Sequence, residues 1–136
     1  MTDTDVSAVF DRAPFIRLLG FRLVGSGPGW VETDLMLEPD HLQQHGYVHA
    51  GVITTMADHT SGAAASTVID EGHSILTAQF AISLLRPARG AALHCRGEVV
   101  KPGRSLVVTQ SDVHCDGVHV ARFQGTMAVV EGGLDG

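Results

Sequence analysis

The sequence predicts an α+β fold in which one long helix lies against a curved antiparallel sheet. Three observations predict it. The stretch from about His49 to Val68 contains no proline and reads as a single helix. The residues after it alternate apolar and polar in runs separated by turn residues. Asp116-Gly117, between two such runs, is a two-residue hairpin signal.

Each element follows in order. Residues 7–19 read as a short helix interrupted or restarted at Pro14 and closed by Gly20. Phe21–Val24 and Trp30–Leu37 read as extended, separated by the Gly25-Ser26-Gly27-Pro28-Gly29 turn. In the second run Val31, Thr33, Leu35 and Leu37 alternate with Glu32, Asp34, Met36 and Glu38, the pattern of a half-buried strand. Residues 39–48 form a polar loop carrying His41, Gln43, Gln44 and His45. Wound at about 100° per residue, the long helix separates two faces. Ile53, Met56, Ala57, Thr60, Ala64, Thr67 and Val68 suit packing on a sheet, whereas Gly51, Thr55, Asp58, Gly62 and Ala65 form a small, polar face. A solvated helix face carries long charged side chains, and this one does not. It leaves space for another backbone or a ligand, with Gly51 and Thr55 bordering it.

The strands come next. Leu76, Ala78, Phe80, Ile82 and Leu84 share one parity, with Thr77, Gln79 and Ser83 on the other. Arg86-Pro87-Ala88-Arg89-Gly90 is a turn. Leu93, Cys95, Gly97 and Val99 follow, then the Lys101-Pro102-Gly103-Arg104 turn and a strand from Leu106 to Cys115. The last strand puts Ala121, Phe123, Gly125, Met127 and Val129 on one side, and the tail from Glu131 to Gly136 is expected to fray. No repeat, linker or second domain is visible. Residues 1–136 are read as one domain, with 1–19 as an N-terminal helical segment.

Composition narrows the function. With 44% hydrophobic and 18% charged residues the chain is globular. Its formal charge of −6, without a basic block, excludes nucleic acid as the expected partner. The acidic Asp3, Asp5 and Asp11 do not make a secretory n-region, and no apolar stretch would span a membrane, so the cytoplasm is the expected location. Cys95 and Cys115 lie in strand-like runs and read as buried reduced thiols. His94, His114 and His119 alternate along strands and are expected to face solvent.

The chemistry concentrates in His45-Gly46-Tyr47-Val48-His49-Ala50-Gly51 and the Asp58 that follows. A helix start presents unpaired N–H groups and a partial positive charge, which can hold an oxyanion. A carboxylate inside an otherwise apolar helix needs a reason, because burying it alone is costly. Together they supply the parts for acyl transfer. His45, His49 and Asp58 or His59 invite a zinc reading, but no third ligand has suitable spacing, and no metal is expected.

This run, the spacing from His49 to Asp58, and the Arg86-Pro87 and Lys101-Pro102-Gly103-Arg104 turns resemble the phenylacetate-pathway (PaaI-like) branch of hotdog-fold acyl-CoA thioesterases. The resemblance covers the chain from about Phe21 onward. It implies a hotdog fold, a catalytic role for Asp58, and a thioester carbonyl polarised by the backbone amide of Ala50. Gln43 stands where relatives commonly carry Asn, and Thr77 where a hydroxyl helps place water. Relatives usually have Gly at the position of Ala50. Alanine keeps the donor but adds a methyl beside the carbonyl, and Gln43 is a methylene longer than Asn.

Geometry adds a condition. At about 1.5 Å rise per residue, Ala50 and Asp58 lie about 12 Å apart along one helix. A reacting atom must sit about 3 Å from both donor and attacking group. Two helices antiparallel about a two-fold axis satisfy this, so a homodimer at minimum is expected, and by resemblance a dimer of dimers. His49 is expected to brace the turn into the helix. The anionic tail of coenzyme A, part of the substrate and not a cofactor, is expected to meet Arg86, Arg89, Lys101 and Arg104 at two neighbouring turns. The expected activity is hydrolysis of an aryl- or medium-chain acyl-CoA. The alternatives are a hotdog hydratase, for which no second acid is suitably placed near His49, and a non-catalytic dimer that binds or senses acyl-CoA.

Overall fold

The computed structural model describes residues 3–132. Two short helices, α1 (Asp3–Asp11) and α2 (Pro14–Leu19), precede strands β1 (Arg22–Gly27) and β2 (Trp30–Met36). The long helix α3 (Ala50–Ser66) follows, then β3 (His73–Leu84), β4 (Ala92–Lys101), β5 (Leu106–Cys115) and β6 (Val118–Glu131). The strands form one six-stranded antiparallel sheet in the order β1-β2-β4-β5-β6-β3, with α3 packed against one face. Among the described residues no helix is long and apolar enough to cross a membrane.

The expected break at Pro14 falls between α1 and α2, since proline is tolerated in a first turn but not in a helix interior. Gly20 closes α2 in the left-handed region at φ 93°. The helix begins at Asp3, ahead of the expected Ser7. β1 also runs on through Gly27, with the Trp30 ring over Gly25 and Gly27; a Cβ on Gly27 would crowd that ring. The turn is thus confined to Pro28-Gly29. β6 continues through Glu131, and the rest of the tail lies outside the described residues.

Alternation places Val31, Thr33 and Leu35 of β2 toward α3, as expected, and likewise Leu93, Cys95 and Gly97 of β4 and Ala121, Phe123, Gly125 and Met127 of β6. The helix sits very close to the sheet. A Cβ on Gly97 would lie 2.9 Å from the Thr60 carbonyl oxygen, so only glycine fits there. The interface is small and partly hydroxylic: Thr33 Oγ1 and Thr60 Oγ1 are 2.8 Å apart, and the Ser111 hydroxyl donates to the Ala57 carbonyl at 3.2 Å. Cys95 lies among them with its thiol pushed up to about 12 by burial, an inert reduced thiol. Cys115 is buried too.

Ala65 and two of the strand histidines are less exposed than expected. Ala65 is fully buried, not on the open face of α3. The polar loop at 39–48 hides His41, whose Nδ1 accepts from the Glu38 N–H at 3.0 Å and whose Nε2 donates to the Leu19 carbonyl at 2.7 Å. Of the three strand histidines, His94 is exposed, while His114 and His119 are half-buried and stacked, their ring centroids 4.8 Å apart. All three share one row on the sheet's outer face, with His119 held by Asp112 at 2.8 Å.

The N-terminal arm is fastened to α3 through His59. Its Nε2 donates to the Val9 carbonyl at 3.0 Å, and the edge of Phe10 meets its ring at 4.7 Å. Burial lowers the pKa of His59, against the raising effects of the Val9 bond and the Asp58 charge. In the unfolded chain the imidazole titrates near its ordinary value of about 6.5 and binds a proton more readily than in the fold. The stability this arrangement contributes is present above that pH and is lost as pH falls below it. Melting curves at fixed protein concentration should show Tm falling from about pH 7 to pH 5, with a shallower slope in His59→Gln. An equal slope in the variant would refute the assignment.

Candidate active site

α3 begins where it does because His49 caps it. With extended backbone (φ −61°, ψ 135°), its Nδ1 accepts from the Gly51 N–H at 2.8 Å, which puts its proton on Nε2. The ring therefore braces the helix entrance, as expected. The His49 carbonyl accepts from Val52 at 2.9 Å and Ile53 at 3.3 Å. The Ala50 N–H is left without a partner among the described residues. It borders a cleft of about 550 Å³ lined also by Gln43, Tyr47, Ile53, Leu84 and Arg86. A lone backbone donor at the positive end of a seventeen-residue helix suits a developing oxyanion.

Gln43 turns its side-chain oxygen back onto its own loop. Its Oε1 accepts from the backbone N–H groups of His45 and Tyr47, the latter at 3.3 Å, so the side chain tightens its own turn. The amide nitrogen has no partner among the described residues.

Asp58 lies half-buried on the open face of α3, away from the Ala50 cleft. The Thr77 hydroxyl donates to its Oδ1 at 2.7 Å. That contact depends on a correction to the strand reading. A β-bulge between Thr77 and Gln79 inserts Ala78 as an extra residue. Thr77 is thereby turned to the helix side, opposite Met127, while Leu76 is turned outward and Phe80, Ile82 and Leu84 face inward. Without the bulge the hydroxyl would miss the carboxylate. The bond leaves Oδ2 to act on another group.

Two hollows meet at Asp58. One of about 390 Å³ is lined by Phe15, Ile16, Thr54, Thr55 and Phe80, and one of about 160 Å³ extends past Gly62. Thr55 contributes a wall, since its hydroxyl already donates to the Gly51 carbonyl at 2.7 Å. His59 borders both hollows. The sequence marks it only as a metal-ligand candidate, and its burial beside Asp58 depends on α1, which no local pattern reveals.

The four cations do not gather in one chain. Arg86 borders the Ala50 cleft, with its guanidinium donating to the His119 carbonyl at 2.9 Å, and Arg89 stands over the Tyr47 ring at 5.8 Å. Lys101 and Arg104 are at the other end of β4, a ten-residue strand and so about 33 Å away. The two turns are not neighbours, because β4 runs its whole length between them.

Residues 45–122 match the model of the thioesterase superfamily. The chain belongs to the thioesterase superfamily. As a member of that superfamily it is a thioester hydrolase, and its six-stranded sheet with one long helix is the hotdog fold. A thioesterase family protein from Silicibacter pomeroyi is 34% identical, with a TM-score of 0.91 over 95% of this chain and 98% of that one. Human acyl-coenzyme A thioesterase 13 is 27% identical over 110 residues, which are 79% of this chain and 78% of that protein. The Escherichia coli PaaI protein of the phenylacetic acid degradation operon, 19% identical, shares the fold with a TM-score of 0.87 over 96% of this chain and 94% of its own.

Proposed function

We propose that the chain hydrolyses acyl-CoA thioesters in a cleft shared by two copies. The observation that carries this reading is the separation of the two chemical groups: the free Ala50 N–H borders one cleft and the Thr77-held Asp58 borders others. In the antiparallel pairing, the Ala50 N–H of one protomer holds the carbonyl oxygen as it becomes an oxyanion. Asp58 of the other draws the proton from a water that attacks the acyl carbon. The C–S bond then breaks, and the thiolate of coenzyme A leaves with the acid as second product. Direct attack by the carboxylate, giving an anhydride that water opens, uses the same geometry.

Pairing along β3 supports this arrangement. β3 is an outer strand of the sheet, twelve residues long, and Leu76, Phe80 and Leu84 along it are exposed. Such an edge is a template for a second chain. His73, at the start of β3, shares a hollow with Arg104. Antiparallel pairing thus brings one protomer's Arg104 turn to the end where its partner presents Arg86, which gathers the cations for the coenzyme A phosphates. Association of two dimers would leave this shared cleft unaltered.

Subunit complementation tests the reading. Ala50→Pro removes only the donor, since proline suits the first helical position and His49 already has the extended backbone it requires. Ala50→Pro and Asp58→Asn should each be inactive. Co-expressed, they should recover about a quarter of wild-type activity, because half the dimers are mixed and each mixed dimer holds one intact site. No recovery from folded mixed dimers would rule out the shared cleft.

A further inference from the structure

The smaller hollow at Asp58 has a floor that packing does not explain. Gly62 lies inside α3, where alanine is the more stable residue. A Cβ there would meet only Ile75 Cγ2, at 4.0 Å, which is ordinary contact. Its φ is not in the left-handed region. Gly97, by contrast, is required by the Thr60 backbone above it. The missing side chain at Gly62 serves neither fold nor backbone; what it provides is depth in a hollow that opens at the carboxylate.

That hollow runs along the helix from Asp58 past Gly62 to Ser66, between Val9, Ile69 and Ile75. Eight residues of helix correspond to about 12 Å. Its volume, about 160 Å³, is well under half that of the neighbouring hollow beneath Phe15 and Phe80, at about 390 Å³. Small in volume and with most of its wall area apolar, it suits an extended methylene chain, whereas a ring has more room under Phe15. The wall at Val9 is held in place, since the Val9 carbonyl is bound by His59.

We infer that this hollow seats the acyl group and that Gly62 sets its reach, so that the substrates are unbranched medium-chain acyl-CoAs laid lengthwise along α3. The inference rests on the hydrolase reading above. Asp58 lies at the mouth of the hollow, which puts the thioester carbon there and the methyl end toward Ser66. A two-carbon acyl group would leave most of the hollow's apolar wall uncovered.

The test is kcat/KM for butanoyl-, decanoyl- and phenylacetyl-CoA with the full chain and with Gly62→Leu, whose side chain would fill the hollow. Gly62→Ala, a substitution the helix favours, is the milder companion. Gly62→Leu should lower the decanoyl value by about tenfold or more while the butanoyl and phenylacetyl values stay within about twofold. Gly62→Ala should shift the same ratio in the same direction by less. An unchanged decanoyl value, an equal fall for all three, or a fall for phenylacetyl-CoA as large as that for decanoyl-CoA would each overturn the assignment. Failure of the wild-type protein to hydrolyse any of the three would instead overturn the hydrolase reading beneath it.

Discussion

Asp58→Asn is expected to lower kcat for thioester hydrolysis by about 10²–10⁴-fold, the range in which a positioned general base contributes. Asparagine has nearly the same shape and can still accept the Thr77 hydroxyl through its amide oxygen, so the bond to Oδ1 has a replacement. What is lost is the negative charge and the basic oxygen left free by that bond. Binding should persist, because the neutral, nearly isosteric amide leaves the walls of both clefts and the cations in place. Thiol release measured with a chromogenic disulfide reads the rate, and titration with a non-hydrolysable thioether analogue reads the affinity. A variant that releases thiol at the wild-type rate would refute the catalytic assignment. If the wild-type protein binds acyl-CoA without releasing thiol, a binding or sensing dimer is the better account.

Gly97→Ala should be the most damaging conservative change in the core. The new Cβ would stand 2.9 Å from the Thr60 carbonyl oxygen and 3.1 Å from the Ser61 nitrogen. Both are helix backbone, so no side chain can swing aside; α3 itself must lift. Overpacking of this kind costs about 1–3 kcal/mol, and a backbone obstacle belongs at the upper end. At fixed protein concentration the urea midpoint should fall, and Tm with it by about 5–10 °C. Gly62→Ala, on the opposite face of the same helix, should hold or raise both. If the two substitutions act alike, the close contact between α3 and β4 is not what the structure depicts.

Much of the frame was legible because it rests on local periodicity. The proline-free run announced α3, Asp116-Gly117 announced the last hairpin, and alternation from Val31 to Leu35 and from Ala121 to Met127 marked the buried side of two strands. The misses have a common cause in relations between elements. The bulge at Ala78 is a mismatch of β3 against β6, so reading β3 alone placed Thr77 on the wrong side. Ala65 is buried on a helix that packs against five of the six strands, which winding the helix alone does not show. The Arg86 and Arg104 turns are close in sequence yet separated by all of β4. At the site, the helix entrance and its histidine brace could be read directly, since capping is local. The link from Thr77 to Asp58 required the fold.

The two borders of the sheet are unequal. β1 is six residues long, breaks register after Leu23, and has α1 packed against it. β3 is twice that length, carries its one bulge at Ala78, and has no strand on its outer edge among the described residues. The proposed pairing of two chains along β3 by a two-fold axis would use up the receptive border of each and leave only guarded ones outside. Growth of the sheet would then terminate after a single addition, and a strand that could otherwise seed a filament would become the seam of a closed particle.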